Sequence, residues 1–242
     1  YLASCNHFDY FLHCYYDSLK TNNLFFELTL NKKTDFSRYK YFQASYAVSS
    51  GKINDAKNIV LSALKLNPRN LLLNQYLINL TEEKNLNIFN CNKVSNVVAE
   101  ILYTTANALS SQSIYSLSNF YLNLAKFLNE DFNSFNNLLA ENFYKINNFE
   151  KARKIYKHLN KSGEVFRWHS AKQIARMLVQ EGNVDKAIKL QRNTYKNLSK
   201  KKIYETFDFA EFLKNNEKFK ESIIYYTSVL DRIKKDHPLY PR

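Results

Sequence analysis

The sequence predicts an all-α chain built from pairs of antiparallel helices. Three observations predict it. Only three glycines and three prolines punctuate 242 residues, too few for the turns of an all-β fold or the glycine-rich loops of a dinucleotide fold. Small residues recur at Ser118, Ala152, Ala187 and Ser222, spaced by 34, 35 and 35. An alanine stands twelve residues before each of these, at Ala106, Ala140, Ala175 and Ala210, and the same pairing links Ala44 to Ala56.

Each recurrence reads as two helices. In "NNFEKARKIYKHLNKSG", Phe149, Ala152 and Tyr156 fall on one helical face by their spacing of three and four. Equivalent faces are Ile53, Ala56, Val60; Val184, Ala187; Phe219, Ser222, Tyr226; and Tyr115, Ser118, Leu122. In the preceding helix, the alanine is followed three residues later by Ala47, Leu109, Phe143, Leu178 or Leu213. Two helices cross closely only where both present a small side chain, so each alanine marks a contact between partners. Gly51, Asn147 and Gly182 lie five residues before the small residue, where a left-handed residue should end the first helix. Ser113 and Glu217 hold that place in the other two pairs, and Pro68 stops the first.

This pattern resembles the tetratricopeptide repeat, with small residues at its eighth and twentieth positions, an aromatic near the twenty-fourth and a closing proline. "GKINDAKNIVLSALKLNP" is its cleanest copy. The departures are that no unit has Trp at position four, that position eight is Ala rather than Gly, and that Gln191 replaces the aromatic. The boundaries expected are a degenerate helical repeat over 1–36, a unit over 37–70, and an irregular insertion or degenerate repeat over 71–98. Four tandem units follow at 99–132, 133–167, 168–202 and 203–236, and 237–242 starts a truncated further repeat. The order of segments is also similar to large tetratricopeptide proteins of alphaproteobacteria, many of them exported and without assigned activity. On that resemblance the chain is an internal fragment of a bacterial protein.

The resemblance implies a right-handed α-α superhelix, a solenoid whose first helices line a concave groove. Positions two, five, nine and twelve of those helices should face it. The residues expected to bind there are Tyr103 and Asn107; Asn137, Glu141 and Tyr144; Lys172 and Arg176; and Phe207, Glu211 and Lys214. Asparagine side chains can bond a ligand backbone, and aromatics can hold apolar side chains. Lys172 and Arg176, one turn apart, could grip a carboxylate, which Arg matches with two parallel bonds. The partner expected is therefore a protein, bound as an extended peptide or a helix.

Charge suggests the alternative of RNA or another polyanion. Residues 141–242 hold 23 basic and 12 acidic side chains, against 12 and 10 in 1–140. Yet the fifth positions, Tyr41, Tyr103, Asn137, Lys172 and Phe207, form no consistent polar code for bases. Lys154, Lys157, Lys189 and Lys196 fall on second helices, and a nucleotide-biased genome rich in Lys, Asn, Ile, Phe and Tyr codons explains the balance as well. No phosphate loop, nucleophile elbow or metal-ligand spacing stands in the sequence, so no enzyme activity, cofactor or metal is expected. Cys5, Cys14 and Cys91 read as free buried thiols, and "SCNHFDYFLHC" fits no zinc pattern. No run of 18 uncharged apolar residues occurs that could cross a bilayer. A signal peptide upstream would place the protein in the periplasm, and its absence in the cytoplasm.

Overall fold

The computed structural model describes residues 37–86 and 88–240, together with Asn23 and Glu27. The repeat expected over 1–36 therefore lies outside the described residues, as do Cys5 and Cys14. The described helices are α1 (Ser37–Ser49), α2 (Ile53–Leu66), α3 (Leu71–Glu82), α4 (Val94–Ser111), α5 (Tyr115–Leu128), α6 (Ser134–Lys145), α7 (Phe149–Leu159), α8 (Glu164–Gln180), α9 (Val184–Lys196), α10 (Ile203–Asn215) and α11 (Phe219–Leu230). No strand occurs among the described residues. Two compact units part between Val165 and Phe166.

Helix pairs meet where the small residues predict. Ala44, Ala56, Ala106, Ser118, Ala140, Ala152, Ala175, Ala187 and Ala210 have no exposed surface, and Ser222 is buried. Where serine replaces alanine in the second helix, its hydroxyl makes the crossing polar but satisfied. Ser118 donates to the Ala106 carbonyl at 2.8 Å, and Ser222 to the Ala210 carbonyl at 2.9 Å. Serine thus fits the gap that alanine fills, because a carbonyl on the facing helix takes its proton.

All five turns within pairs share one geometry. Gly51, Ser113, Asn147, Gly182 and Glu217 all adopt positive φ, between 58° and 77°. In each turn the next residue's N–H reaches back to a carbonyl of the first helix at 2.8–2.9 Å, the acceptors being Ala47, Leu109, Phe143, Leu178 and Leu213. This is the two-bond helix ending that glycine suits. Ser113 and Glu217 carry a β-carbon into the left-handed region, at roughly 1–2 kcal/mol each. Glu217→Gly should therefore raise stability by about 1 kcal/mol. Thermal or urea unfolding will check it, and an unchanged or lowered midpoint would count against a strained turn.

The first unit holds an odd helix. α3 packs on both α1 and α2, where the first helix of a next pair would lie. Its second helix is replaced by an irregular stretch, and α4 begins at Val94, within the span expected as insertion. That stretch is tied down by side chains: Ser45 donates to the Phe89 carbonyl, Asn129 to the Ile88 carbonyl, and Asn96 accepts from the Asn90 amide. Backbone groups that lack a helix thereby find partners. Cys91, in the same stretch, is disulfide-bonded, which corrects the expectation of free thiols.

Aromatic side chains fill the first unit's core. Tyr41, Tyr76, Phe132 and Phe135 are almost wholly buried, with Phe42 and Phe89 beside them. Tyr41 stacks on Phe132 with centroids 5.4 Å apart, and Phe132 meets Phe135 edge to face at 5.1 Å. On α3, the Gln75 side-chain oxygen accepts from the Val165 backbone N–H at 3.1 Å. Gly163, at φ 128°, lies so close to Gln75 that a β-carbon would come within 2.2 Å of it. Only glycine fits that turn between α7 and α8.

A buried polar knot joins α4, α5 and α6. The Asn142 amide donates to Ser118 and Asn119 at 2.8 and 2.9 Å, while its carbonyl accepts from Ser110 at 2.6 Å. The second unit has its own core of Trp168, Ile188, Tyr195, Leu198, Phe209 and Leu213. Residues 231–240 follow α11 as turns and bends, mostly exposed.

Candidate functional site

The expected binding residues sit on α4 and α6 in the first unit and on α8 and α10 in the second. On α4, Asn107 is exposed, but Tyr103 is drawn into the packing. Its ring lies 5.4 Å from Phe135, and the Arg38 guanidinium covers it at 3.9 Å. Arg38 pairs with Glu100, whose side chain is only 1% exposed. Burial opposes the Arg38 charge, but the neighbouring carboxylate outweighs it and holds the group above its ordinary value. Glu100 occupies position two of its unit and was expected along the groove; this ion pair buries it instead.

On α6, Asn137 donates to Glu141 at 2.9 Å. Burial raises the Glu141 carboxyl above its usual range, and the Asn137 bond and Lys145 only partly oppose it. Tyr144, at the end of the same helix, stacks on Phe149 with centroids 5.6 Å apart. Three of the first unit's candidates thus lie on one helix with their side chains already placed.

In the second unit, Lys172 pairs with Asp208 on α10 and lies 5.9 Å from the Trp168 ring. Asp208 stands one residue past the position equivalent to Lys172, and spacing alone gave no sign that it would be the partner. Arg176 is exposed one turn on. On α10, Lys214 donates to Glu211 at 2.7 Å, and the Tyr226 hydroxyl donates to the same carboxylate. Burial would raise Glu211, but these two bonds outweigh it and its carboxyl sits below the ordinary range. Phe207 meets Tyr226 edge to face at 5.7 Å. The α10 candidates therefore form one cluster around Tyr226.

His169, beside Lys172, is buried. Burial and then the Lys172 charge push its imidazole down to about 4. It is neutral in the fold at neutral pH. Between pH 6.5 and 4 the unfolded chain takes up a proton that the folded one refuses, so stability falls as pH falls through this window, by about 3 kcal/mol at most. Urea midpoints measured from pH 7 to 4 should show the loss, and His169→Gln should flatten it. An unaltered slope in that variant would assign the loss to other groups.

A cavity of about 450 Å³ in the second unit is lined by Arg192, Tyr195, Lys196, Lys201, Ile224, Tyr225 and Ser228. None of the expected site residues lines it, and Arg192 is held there by Glu221 at 2.8 Å. Among the described residues no group of three or more His, Cys, Asp or Glu could hold a metal ion, and no helix is long and apolar enough to cross a membrane.

No family model and no curated protein sequence matches the chain. Solved structures do. The chain is similar to MamA, with 13% identity over 78% of this chain and 92% of that one and a TM-score of 0.42. It is similar to the TPR-like repeats of a Podosopora anserina protein described as a kinesin light chain, at 10% identity, 81% and 94% coverage and a TM-score of 0.45. A chain of the Naa15/Naa10 assembly bound to HypK-THB aligns at 17% identity over 95% of this chain but 36% of its own length, with a TM-score of 0.42. In this chain every helix pair repeats one arrangement, with small residues buried at the crossing and a left-handed residue at the turn.

Proposed function

We infer that this chain is a non-enzymatic scaffold whose first-helix faces bind another polypeptide as an extended peptide or a helix. One observation carries the reading: candidate side chains on these faces are already held by hydrogen bonds, Asn137 to Glu141 along α6, and Lys214 together with Tyr226 of α11 to Glu211. Side chains already ordered lose less freedom when a ligand arrives. In the first unit Asn107, Asn137, Glu141 and Tyr144 offer amide, carboxyl and aromatic contacts. In the second, Phe207, Glu211 and Lys214 lie on α10, and Lys172 and Arg176 lie on α8. Because Lys172 already faces Asp208, a ligand carboxylate would have to displace that aspartate to use both cations.

The test is selection of binding peptides from a displayed library against the purified chain, followed by calorimetric titration of the selected peptide. Asn137→Ala with Tyr144→Ala, or Phe207→Ala with Lys214→Ala, should weaken binding about tenfold or more for a peptide on that face. Equal affinity for the parent and both double variants would remove the reading. The polyanion alternative rests on the exposed Lys154, Lys157, Lys189 and Lys196. Labelled RNA titrated at two salt concentrations separates it, since phosphate contacts give a steep salt slope.

A further inference from the structure

We propose that the outer face of α5 is a self-association surface, on which two copies of the chain pair their α5 helices antiparallel about a two-fold axis. Leu117, Phe120, Leu124 and Phe127 are 43%, 57%, 39% and 79% exposed. Their spacing of three, four and three is that of a helix–helix seam. The positions equivalent by repeat register are Lys151, Lys154, His158 and Lys161 after α6, and Lys186, Lys189, Asn193 and Lys196 on α9. Those eight residues are exposed and mostly basic, as a solvated outer face should be. On α5 alone of these three helices the same face is wholly apolar.

The occupant follows from the order of the side chains. In an antiparallel pair centred at the level of residue 122, Leu117 faces Phe127 of the second copy and Phe120 faces Leu124. Every layer then matches a leucine with a phenylalanine, so the seam complements itself. Charge agrees. The flanking residues Ser116, Tyr121, Asn123 and Leu128 are uncharged, and Lys126 is the only charged residue of α5. Two chains of net charge +13 repel wherever basic faces meet, and this is a face where they would not. The two Lys126 would stand about 12 Å apart along the axis, beyond the screening length at physiological salt.

Area is sufficient. Taking roughly 200 Å² for each full side chain, the four residues with Ile114, which is 44% exposed, present about 500 Å². Two copies would cover about 1,000 Å², the lower bound for a specific interface. Association should therefore be weak and concentration-dependent.

Light scattering or sedimentation of the full chain between about 1 and 100 μM, where so small an interface should titrate, is the first measurement. The expected result is a monomer–dimer equilibrium that Phe120→Glu with Phe127→Glu abolishes, while circular dichroism and the melting temperature stay as in the parent. Should that variant misfold, cross-linking in the otherwise unchanged seam decides the matter. Asn123→Cys lies near the axis and should form an oxidised dimer beyond any parent background, whereas Ser116→Cys, about 18 Å from its mate, should not. A parent that stays monomeric at the highest concentration overturns the proposal, as does a dimer indifferent to the glutamates. Cross-linking at Ser116→Cys equal to that at Asn123→Cys overturns it too.

Discussion

Glu100→Ala should destabilise the chain by about 3–5 kcal/mol, because it leaves the Arg38 guanidinium without its counter-charge. Glu100 is almost fully buried on α4, and Arg38 reaches it from α1 with its charge lying over the Tyr103 ring and near Phe132 and Phe42. Those rings stabilise a cation by their faces, but only by about 2 kcal/mol even when desolvated. They cannot replace a carboxylate held by two hydrogen bonds. Urea denaturation of Glu100→Ala, Arg38→Met and the double variant Arg38→Met with Glu100→Leu separates the causes. The double variant should recover most of the loss, since apolar side chains of similar size can replace a buried pair at little cost. Equal damage in single and double variants would mean that the loss came from packing rather than from a stranded charge.

Phe132→Ala is the second large loss expected, again about 3–5 kcal/mol. Phe132 lies in the connection between α5 and α6, yet it is 1% exposed. It touches Tyr41, Phe42, Phe89 and Phe135. Its ring therefore joins α1, the irregular stretch after α3 and the start of α6. Truncation opens a cavity in a place whose walls belong to separate elements and cannot all close in. Phe132→Leu keeps most of the volume and should cost about 1–2 kcal/mol. Calorimetric or urea unfolding of the two variants gives the comparison, and a small loss in both would show that the cluster can collapse around the gap.

The helix pairs were legible because their signal is local and repeated. A small residue is needed at each crossing and a left-handed one at each turn, so the spacing of Ala140 and Ala152 marks both helices at once. Even the turns at Ser113 and Glu217, whose residue types suit the geometry poorly, adopt it with the others. The hairpin, closed by its own backbone bonds, dictates the turn more than the turn residue does. What could not be read were contacts made once. Arg38 meets Glu100 across 62 residues, and Gln75 meets Val165 across 90, and no periodicity announces either. Register placed Glu100 and Tyr103 along an open face, because it assumes that only neighbouring pairs touch. Arg38 of α1, reaching Glu100 and Tyr103 on α4, breaks that assumption in the first unit. In the second unit Lys172 pairs with Asp208, which stands one residue out of phase with the repeat, so register does not announce it.

The five turns share a shape but not a chemistry, and that difference has a dynamic consequence. A hairpin fastened by glycine rests in a conformation its backbone favours, while one fastened by Glu217 or Ser113 is held slightly against preference. The pairs should not breathe alike: amide protons around α10–α11 and α4–α5 should trade with deuterated solvent sooner than those around α1–α2, where Gly51 makes the bend.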